Sequence, residues 1–269
     1  MQTLPLWIQE KVKEFILIPI VVLLKFIFRI MLKKFIRTTL NLLKLDLTKN
    51  LEYDRLTNLI LKGAIKPNSN CIDVGCHKGE ILEMILQLAP NGKHFGFEPI
   101  PVLADNLQKQ FGSKATILQY ALAETEGKTT FNFVKNAPAY SGLQKRKYDV
   151  AEPDIEVIDV EIRRLDDLIP SNTKIDVIKI DVEGAELGVL KGASKLILKV
   201  KPLVIFECGL GASDYYGTKP EQVYGFLNKE MGMKISTLKS YVNKSAALSA
   251  SEFEDLYNSN KEYYFVAYA

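Results

Sequence analysis

The feature that most constrains this chain is a short apolar strand that ends in a carboxylate and runs into a glycine loop. The strand is predicted over residues 70–75, with Asp73 near its end, and the loop reaches Gly79 before a helix begins. A second apolar strand, over residues 93–98, ends at Glu98. Strand, glycine turn, helix, strand and acid in this order are typical of a parallel α/β fold that holds an adenosine group.

The spacing of the glycines separates two kinds of adenosine ligand. A dinucleotide fold carries three glycines as G-x-G-x-x-G, which places a helix N-terminus against pyrophosphate. Here the loop has two glycines, Gly75 and Gly79, and Asp73 precedes them. A carboxylate at that point repels phosphate but suits an ammonium or sulfonium cation. The pattern therefore favours S-adenosylmethionine over NAD; an ordinary βα turn of a doubly wound sheet is the alternative.

Strands and helices alternate along most of the chain, which implies a parallel sheet with right-handed crossovers. A chain of 269 residues is long enough for one large α/β domain, predicted over residues 51–269, and an appendage. The predicted strands are 70–75, 93–98, 115–122, 175–181, 203–207, 233–239 and 262–269, and the predicted helices are 79–89, 101–111, 185–198 and 219–231.

Residues 123–165 interrupt this alternation. Two segments with period-two patterning, 129–134 and 155–162, predict half-exposed strands, and a long polar loop over residues 135–154 joins them. A loop of this length inside a compact domain is usually functional or disordered. We therefore expect this insertion to lie on the substrate side and to act as a lid.

A second motif, Lys-Ile-Asp-Val-Glu-Gly-Ala-Glu over residues 179–186, follows the strand at 175–181. In an open α/β sheet, ligands bind at the carboxyl ends of the strands. Asp181 ends this strand and Glu207 ends the next one. Together with Asp73 and Glu98 they place four acids at one edge of the sheet. The alternative is that strand-end acids cap helices or pair with surface lysines.

These motifs resemble the FkbM family of S-adenosylmethionine-dependent methyltransferases. The resemblance covers roughly residues 65–210 and implies an α/β class I methyltransferase fold, Rossmann-like and doubly wound, whose mostly parallel sheet has an antiparallel final strand. It also implies O-methylation of a hydroxyl on a sugar, glycolipid or polyketide. Family members often carry a small residue and Asn where this chain has Cys76-His77. The runs that carry the resemblance are Ile72–Gly75 with Gly79, Phe97–Pro99, Leu165–Leu168, Lys179–Glu186, Ile205–Glu207 and, loosely, Ser141–Leu143.

Each candidate residue has an expected role. The loop glycines approach the methionine part of the cofactor, Asp73 supports the loop and the ammonium group, and Glu98 accepts the ribose hydroxyls. Asp181 is the first candidate for the base, because a hydroxyl is a poor nucleophile; His77, whose pKa suits neutral pH, is its competitor. The predicted cofactor-binding residues are Asp73, Gly75, Cys76, His77, Gly79, Glu98, Pro99, Ala121 and Leu122, and the predicted catalytic residues are Asp181, Glu183, Glu207 and His77.

The amino-acid composition argues against several classes of protein and of metal site. The three cysteines form no C-x-x-C pair, which argues against a disulfide framework and a structural zinc site, and two histidines disfavour a multi-histidine metal centre. Residues 1–50 carry nine Lys and Arg against three Asp and Glu, so the remainder of the chain is net negative. A mildly acidic body gives no electrostatic footprint for nucleic acid.

The N-terminal segment, residues 1–50, is predicted to form amphipathic helices, with the apolar helical pattern over residues 6–45. Its uncharged run, 15–24, contains Pro19 and is too short to span a bilayer. A cationic stripe on a broad apolar helix suits the membrane interface. A cytoplasmic protein, peripheral or monotopic on the inner face of the membrane, is therefore expected; a cap on the domain, a homodimer seam and a single span are the alternatives. The stripe is Lys25, Arg29, Lys33 and Arg37.

The sequence thus predicts an S-adenosylmethionine-dependent O-methyltransferase without a metal. Its expected substrate is a hydroxyl of a glycan, a glycolipid or a related lipid-linked acceptor at the membrane surface. An RNA or protein methyltransferase on the same fold is one alternative. A non-catalytic scaffold attached to the membrane is the other.

Overall fold

A computed structural model of the protein describes residues 48–269. The predicted amphipathic segment over residues 6–45 lies outside the described residues. Within the described range, no helix combines the length and the apolar character that crossing a membrane requires.

Ten strands and nine α-helices make up the described part of the chain. The strands are β1 Cys71–Val74, β2 His94–Phe97, β3 Thr116–Leu118, β4 Ala121–Leu122, β5 Gly127–Val134, β6 Ile155–Arg163, β7 Val177–Ile180, β8 Leu203–Glu207, β9 Lys234–Thr237 and β10 Tyr264–Tyr268. The helices are α1 Lys49–Ala64, α2 Glu80–Leu88, α3 Pro101–Phe111, α4 Leu165–Leu168, α5 Glu186–Gly192, α6 Ser194–Val200, α7 Pro220–Tyr224, α8 Leu238–Val242 and α9 Ala250–Asn258.

Seven strands form the main sheet in the order β3-β2-β1-β7-β8-β10-β9. The strands from β3 to β8 pair in parallel, whereas β10 runs antiparallel to both of its neighbours. The predicted fold class, a mostly parallel sheet with an antiparallel final strand, is confirmed. The strand order reverses between β1 and β7, and in an open α/β sheet ligands bind at such a switch point.

The central strands are buried because their sequences are apolar on both faces, as parallel strands between two helical layers require. All four residues of β1 and all four of β7 are buried. Phe206 of β8 and Phe265 of β10 are fully buried and lie next to each other, with ring centroids 6.0 Å apart. Burial of one such aromatic side chain stabilises the fold by about 1.5–3 kcal/mol. The sheet is therefore a rigid support for the loops at its carboxyl edge.

Two predicted elements are wrong in their extent. The single strand predicted over residues 115–122 is two strands, because β3 stays in the main sheet while β4 leaves it and pairs in parallel with β6. The single helix predicted over residues 185–198 is interrupted after Gly192, where a Cβ atom would lie 2.1 Å from the backbone oxygen of Ala123. The close approach requires glycine at position 192, and the helical geometry is lost at the next residue, Ala193, with φ −109° and ψ 12°.

Helix α9 was missed by the sequence reasoning, although its start carries a recognisable signal. Ser249 and Glu252 form a capping box, in which each side chain accepts a hydrogen bond from the other residue's backbone N–H. The helix lies with α8 in the connection between β9 and β10, for which the sequence pattern predicts no element.

The insertion folds as predicted into two strands joined by a long loop. β5 and β6 pair antiparallel and form a three-stranded sheet with β4. The connecting loop, residues 135–154, contains a 3₁₀ turn at Pro138–Tyr140 and returns to β5, where Gly142 and Asn132 exchange backbone hydrogen bonds. The loop is thereby held as one wall of the crevice at the switch point.

Candidate active site

A cavity lies at the carboxyl ends of β1 and β7, where the strand order reverses. Its walls come from the glycine loop, the end of β2, the small sheet, the 135–154 loop and the acidic motif after β7. Eight of the predicted site residues line it: Gly75, His77, Glu98, Pro99, Ala121, Leu122, Asp181 and Glu183. The apolar part of the wall includes Phe97, Ile100, Phe131, Leu143 and Val182.

Position 75 requires glycine because the backbone of the glycine loop passes very close to the backbone of Asp181. Its φ is +80°, and a Cβ atom would lie 1.9 Å from the backbone oxygen of Asp181. Its N–H donates to the backbone oxygen of Phe97 at 2.9 Å, which ties the loop to β2. Gly79, with φ +82°, is glycine for packing, because a Cβ atom there would lie 2.5 Å from the ring of Phe111 on α3. The loop therefore has one fixed path.

Asp73 lies in β1 directly behind the glycine loop and is almost fully buried. Burial raises the pKa of its carboxyl to about 6, against the opposing effect of Lys179. Its Oδ2 is buried, and no donor within the described residues reaches it. Asp73 itself does not line the cavity; it lies behind the wall that Val74 and Gly75 form.

Cys76 is packed away from the cavity. Its thiol donates to the backbone oxygen of Asp73 at 3.2 Å, and its side chain lies in a buried cluster with Leu82, Leu107 and Phe111. Burial raises the pKa of this thiol well above its usual value, so it stays protonated. Cys76 supports the shape of the loop rather than the cavity wall.

His77 lines the cavity and adopts a left-handed backbone conformation, with φ 50°. Burial, followed by the neighbouring charge of Lys78, lowers the pKa of its imidazole. The ring is therefore neutral at pH 7, and its Nε2 is buried without a partner within residues 48–269. A neutral ring with an open nitrogen can donate or accept one hydrogen bond to a ligand.

Glu98 links the glycine loop to the segment that precedes α3. Its Oε2 accepts from the backbone N–H of His77 at 2.8 Å, and its Oε1 accepts from that of Ile100 at 3.0 Å. Burial raises the pKa of this carboxyl to about 7, although both hydrogen bonds act to lower it. Each carboxylate oxygen can accept two hydrogen bonds. Glu98 thus keeps one acceptor position on each oxygen for a diol.

Asp181, at the end of β7, is the centre of a partly buried polar network. Its Oδ2 accepts from Nζ of Lys179 at 2.9 Å and from the hydroxyl of Tyr264 at 2.5 Å, and Glu207 hydrogen-bonds to it as well. Burial acts to raise the pKa of Asp181, but Lys179 and these hydrogen bonds outweigh it and hold that pKa below its ordinary value. Asp181 is therefore ionised at neutral pH.

Glu207 is a partner of Asp181 and is not part of the cavity wall. Burial, followed by the charge of Asp181, raises the pKa of Glu207 well above its usual range, so it is protonated at neutral pH. Tyr264 was not among the predicted site residues. It reaches the network because β10 runs antiparallel beside β8 and pairs Tyr264 with Glu207. The start of the last strand must therefore lie at the end of β8.

Glu183 follows in a strained turn, with φ 58°, and lines the cavity. The turn is closed by Glu186, whose Oε1 accepts from the backbone N–H groups of Val182 at 3.0 Å and Gly184 at 3.2 Å. Burial and the charge of Asp181 raise the pKa of Glu183 to about 8, and the contacting guanidinium of Arg146 opposes this. Two acids two residues apart thus differ in protonation because their surroundings differ.

The comparison with known sequence families agrees with this geometry. The profile of the methyltransferase FkbM domain matches residues 73–235. The chain belongs to the FkbM methyltransferase family. The match begins at Asp73 and includes the glycine loop, Glu98, the insertion and the acidic motif, so the family domain contains the whole cavity described above.

Two individual relatives of this FkbM domain share less than 30% of their sequence with this chain. The 2-O-methyltransferase NoeI of Sinorhizobium fredii is 27% identical over 155 residues, which are 51% of this chain and 62% of NoeI. The methyltransferase sdnD of Sordaria araneosa is 29% identical over 159 residues, 48% of this chain and 61% of sdnD. The chain therefore spans less than two thirds of the length of both relatives. The crystal structure of an FkbM methyltransferase from Methylobacillus flagellatus is 16% identical with a TM-score of 0.46, covering 76% of this chain and 44% of that one.

The cofactor of this FkbM domain is S-adenosylmethionine, and three observations show that the site fits it. Gly75 leaves no room for a side chain and so forms a narrow backbone cradle. Asp73, in β1 behind the cavity wall, adds a buried acidic group close to the place where a cation would bind. Glu98 keeps acceptor capacity toward two hydroxyls on a buried carboxyl group. All three lie on the β1 and β2 side of the switch point.

Proposed function

We propose that this protein is an S-adenosylmethionine-dependent O-methyltransferase whose acceptor is a hydroxyl of a glycan, a glycolipid or a related lipid-linked molecule at the membrane surface. One observation carries the proposal: a single cavity joins an adenosine-type half, with Gly75 and Glu98, to the acids Asp181 and Glu183. The first half suits the methyl donor, and the second suits a hydroxyl that must lose a proton.

When bound, S-adenosylmethionine supplies an electrophilic methyl group on a sulfonium. The task of the chain is then to hold an acceptor oxygen in line with that methyl group and to remove its proton. Correct positioning alone contributes several kcal/mol to such a reaction. A base is required in addition, because a sugar hydroxyl is a poor nucleophile at neutral pH.

The two acids at the cavity divide these tasks. Oδ2 of Asp181 already accepts two hydrogen bonds, and the low pKa of this group makes it a weak base. We assign it the role of orienting the acceptor hydroxyl. Glu183 has a pKa of about 8, which is close to the pH at which a general base works best. We therefore propose that Glu183 removes the proton of the acceptor hydroxyl, and that Asp181 orients this hydroxyl as a hydrogen-bond acceptor.

The charge around the cavity supports a neutral acceptor. Asp181, Glu183, Glu186 and Glu207 lie together, and Lys179 is paired within them. Lys179 is paired with Asp181 and Arg146 contacts Glu183, so neither of these two cations is left to bind a phosphate or carboxylate beside the reacting hydroxyl. The name of the relative NoeI, a 2-O-methyltransferase, supports an oxygen acceptor. RNA is disfavoured on a separate ground, because residues 51–269 carry a net negative charge.

The N-terminal segment supports a membrane location. Residues 1–50 carry a net charge of +6, and the cations at Lys25, Arg29, Lys33 and Arg37 recur every fourth residue among apolar side chains. A helix of this composition binds anionic headgroups through its cations and acyl chains through its apolar face. We therefore propose that the protein lies on the inner face of the membrane.

The test is transfer of a labelled methyl group into an extract of the source cell, separated into lipid, polysaccharide, protein and nucleic-acid fractions. We expect label in the lipid or polysaccharide fraction, lost with Glu183→Gln and kept with Glu254→Gln, an exposed acid on α9. Label in protein or nucleic acid would overturn the acceptor class. Cofactor binding without transfer to any fraction would favour a membrane-attached scaffold.

A further inference from the structure

Arg146 lies on the 135–154 loop and reaches from it into the acidic cluster, although no sequence motif marked it. Its side chain is only 8% exposed. One terminal nitrogen contacts the carboxylate of Glu183, and the other donates to the backbone oxygen of Gly211 at 3.1 Å. The guanidinium also lies 5.3 Å from the ring centroid of Tyr140. A buried, two-armed contact of this kind fixes the positions of both segments that it joins.

The loop that carries Arg146 is itself a wall of the cavity. Pro138, Ala139, Ser141 and Leu143 from this loop line the space next to Glu98 and Asp181. A second contact holds the loop to the segment after β8, because the backbone N–H of Gln144 donates to the hydroxyl of Tyr216 at 3.1 Å. Arg146 and Gln144 thus close the same loop onto the same segment.

We propose that Arg146 is a positioning residue, which aims the carboxylate of Glu183 into the cavity and holds the 135–154 loop closed beside it. This inference rests on the proposed role of Glu183 as the base. Arginine suits the task because its planar fork can serve two acceptors at once, whereas a lysine is a single point charge. The side chain acts on Glu183 and not on the acceptor or the cofactor.

The charges that face Glu183 explain why the contact matters for proton transfer. Carboxyl groups surround it from its own turn, from α5 and from β8, and they favour its protonated form. Arg146 is the cation that contacts it directly, since Lys179 is paired with Asp181. Removal of Arg146 should therefore let Glu183 keep its proton to higher pH. The titratable groups around Glu183 are Asp181, Glu186, Glu207, Lys179, Arg146, Tyr216 and Tyr264.

The first test measures the titration of Glu183 in the full chain by carbon NMR of labelled glutamate side chains, with Glu183→Gln to identify its signal. We expect the titration midpoint to rise by about one pH unit in Arg146→Met and by less in Arg146→Lys. The matched control is Lys147→Met, an exposed cation one residue further along the loop, which should titrate like the wild type. An unchanged midpoint in both Arg146 variants would overturn the proposal.

The second test measures closure of the loop by chymotrypsin cleavage after Tyr140 and Tyr148, read by mass spectrometry. Loss of the Arg146 contacts should accelerate cleavage at these sites about tenfold, because local opening controls proteolysis of a folded chain. Lys147→Met should be cleaved at the wild-type rate. If Arg146→Met does not fold, the same test is made with Arg146→Lys, which keeps the positive charge but lacks the planar guanidinium group.

Neither test needs an acceptor, so the two proposals fail separately. If the wild type transfers no methyl group but both readouts change in Arg146→Met, the proposed function fails while the link between Arg146 and Glu183 stands. If the wild type is active and Arg146→Met loses activity without a shift in its pH profile, Arg146 has only a structural role and this inference is wrong.

Discussion

The hydroxyl of Tyr264 donates a 2.5 Å hydrogen bond to Oδ2 of Asp181. The same oxygen accepts from Lys179 at 2.9 Å, and the Lys179 ammonium lies 4.9 Å from the centroid of the Tyr264 ring. Two donors on one carboxylate oxygen stabilise its charged form. The last strand of the sheet therefore completes a site that begins at β7, because its antiparallel course brings Tyr264 to the carboxyl edge.

Tyr264→Phe removes this donor and keeps the aromatic ring. The pKa of Asp181 is held low in the folded protein, so its charge stabilises the fold above the pKa of about 4 of the unfolded chain, and this contribution disappears as pH falls through the lower folded value. We expect a loss of about 1.5–3 kcal/mol in the free energy of unfolding at pH 7. The loss should shrink as the pH falls below about 4, the pKa of the carboxyl group in the unfolded chain. Urea unfolding over this pH range measures it.

The control for that variant is Tyr268→Phe on the same strand. Its hydroxyl hydrogen-bonds to the hydroxyl of Ser236 at 3.1 Å, on the strand β9, and not to the acidic cluster. We expect a loss of about 1 kcal/mol that does not depend on pH in the acidic range. An equal pH dependence in both variants would mean that Asp181 is not the partner that matters.

Glu98 predicts a pH dependence of cofactor binding. Burial raises its pKa to about 7, so the carboxylate that can accept two hydroxyls forms only as pH rises through that value. We expect the dissociation constant for S-adenosylmethionine to fall between about pH 6 and pH 8, by up to tenfold per pH unit. Calorimetric titration across this range measures it. Glu98→Gln should bind weakly at every pH, and a pH dependence that survives in this variant would assign the effect to another group, such as Asp73.

Sequence reasoning identifies those site residues that lie next to the end of a strand in the chain. Gly75, Glu98 and Asp181 are each next to a strand end in sequence, so the order of parallel strands brings them to one edge. The same loop predicts cofactor contacts for Gly79 and Cys76, but in the structure Gly79 packs against α3 and Cys76 packs under the loop. Sequence spacing identifies the loop; it does not say which face of the loop meets a ligand.

Gly75→Ala tests the crossing of the two backbones. A Cβ atom would lie 1.9 Å from the backbone oxygen of Asp181, and φ +80° is unfavourable for alanine. We expect a loss of roughly 3 kcal/mol or more in the free energy of unfolding, together with loss of cofactor binding. Gly63→Ala is the matched control: it lies in α1 with no neighbouring atom within 4 Å, and it should gain about 0.5–1 kcal/mol. A mild effect of Gly75→Ala would show that the loops can move apart.

The residues that sequence reasoning missed reach the site through long-range contacts. Tyr264 comes from the last strand, 83 positions beyond Asp181 in the chain, and Arg146 comes from a loop whose polar composition resembles any exposed connection. A periodic pattern identifies strands, but it does not show which loop side chain turns inward. That information depends on how the insertion folds back on β5, which only the tertiary structure shows.

The cationic N-terminal stripe predicts that the full chain binds anionic membranes. Replacement of its four cations by glutamate removes the attraction to headgroups, worth about 1 kcal/mol per cation near a charged surface, and adds repulsion. We expect sedimentation with phosphatidylserine-containing vesicles to fall by at least about tenfold, while cofactor affinity remains unchanged, since the cavity consists of residues 74–185. Vesicles of neutral phosphatidylcholine are the lipid control, and four lysine-to-glutamate changes at exposed positions of the domain are the charge control. Vesicle binding that survives the replacement would show that the four cations do not attach the chain to the membrane. The substituted positions are Lys25, Arg29, Lys33 and Arg37, and the control positions are Lys93, Lys109, Lys128 and Lys147.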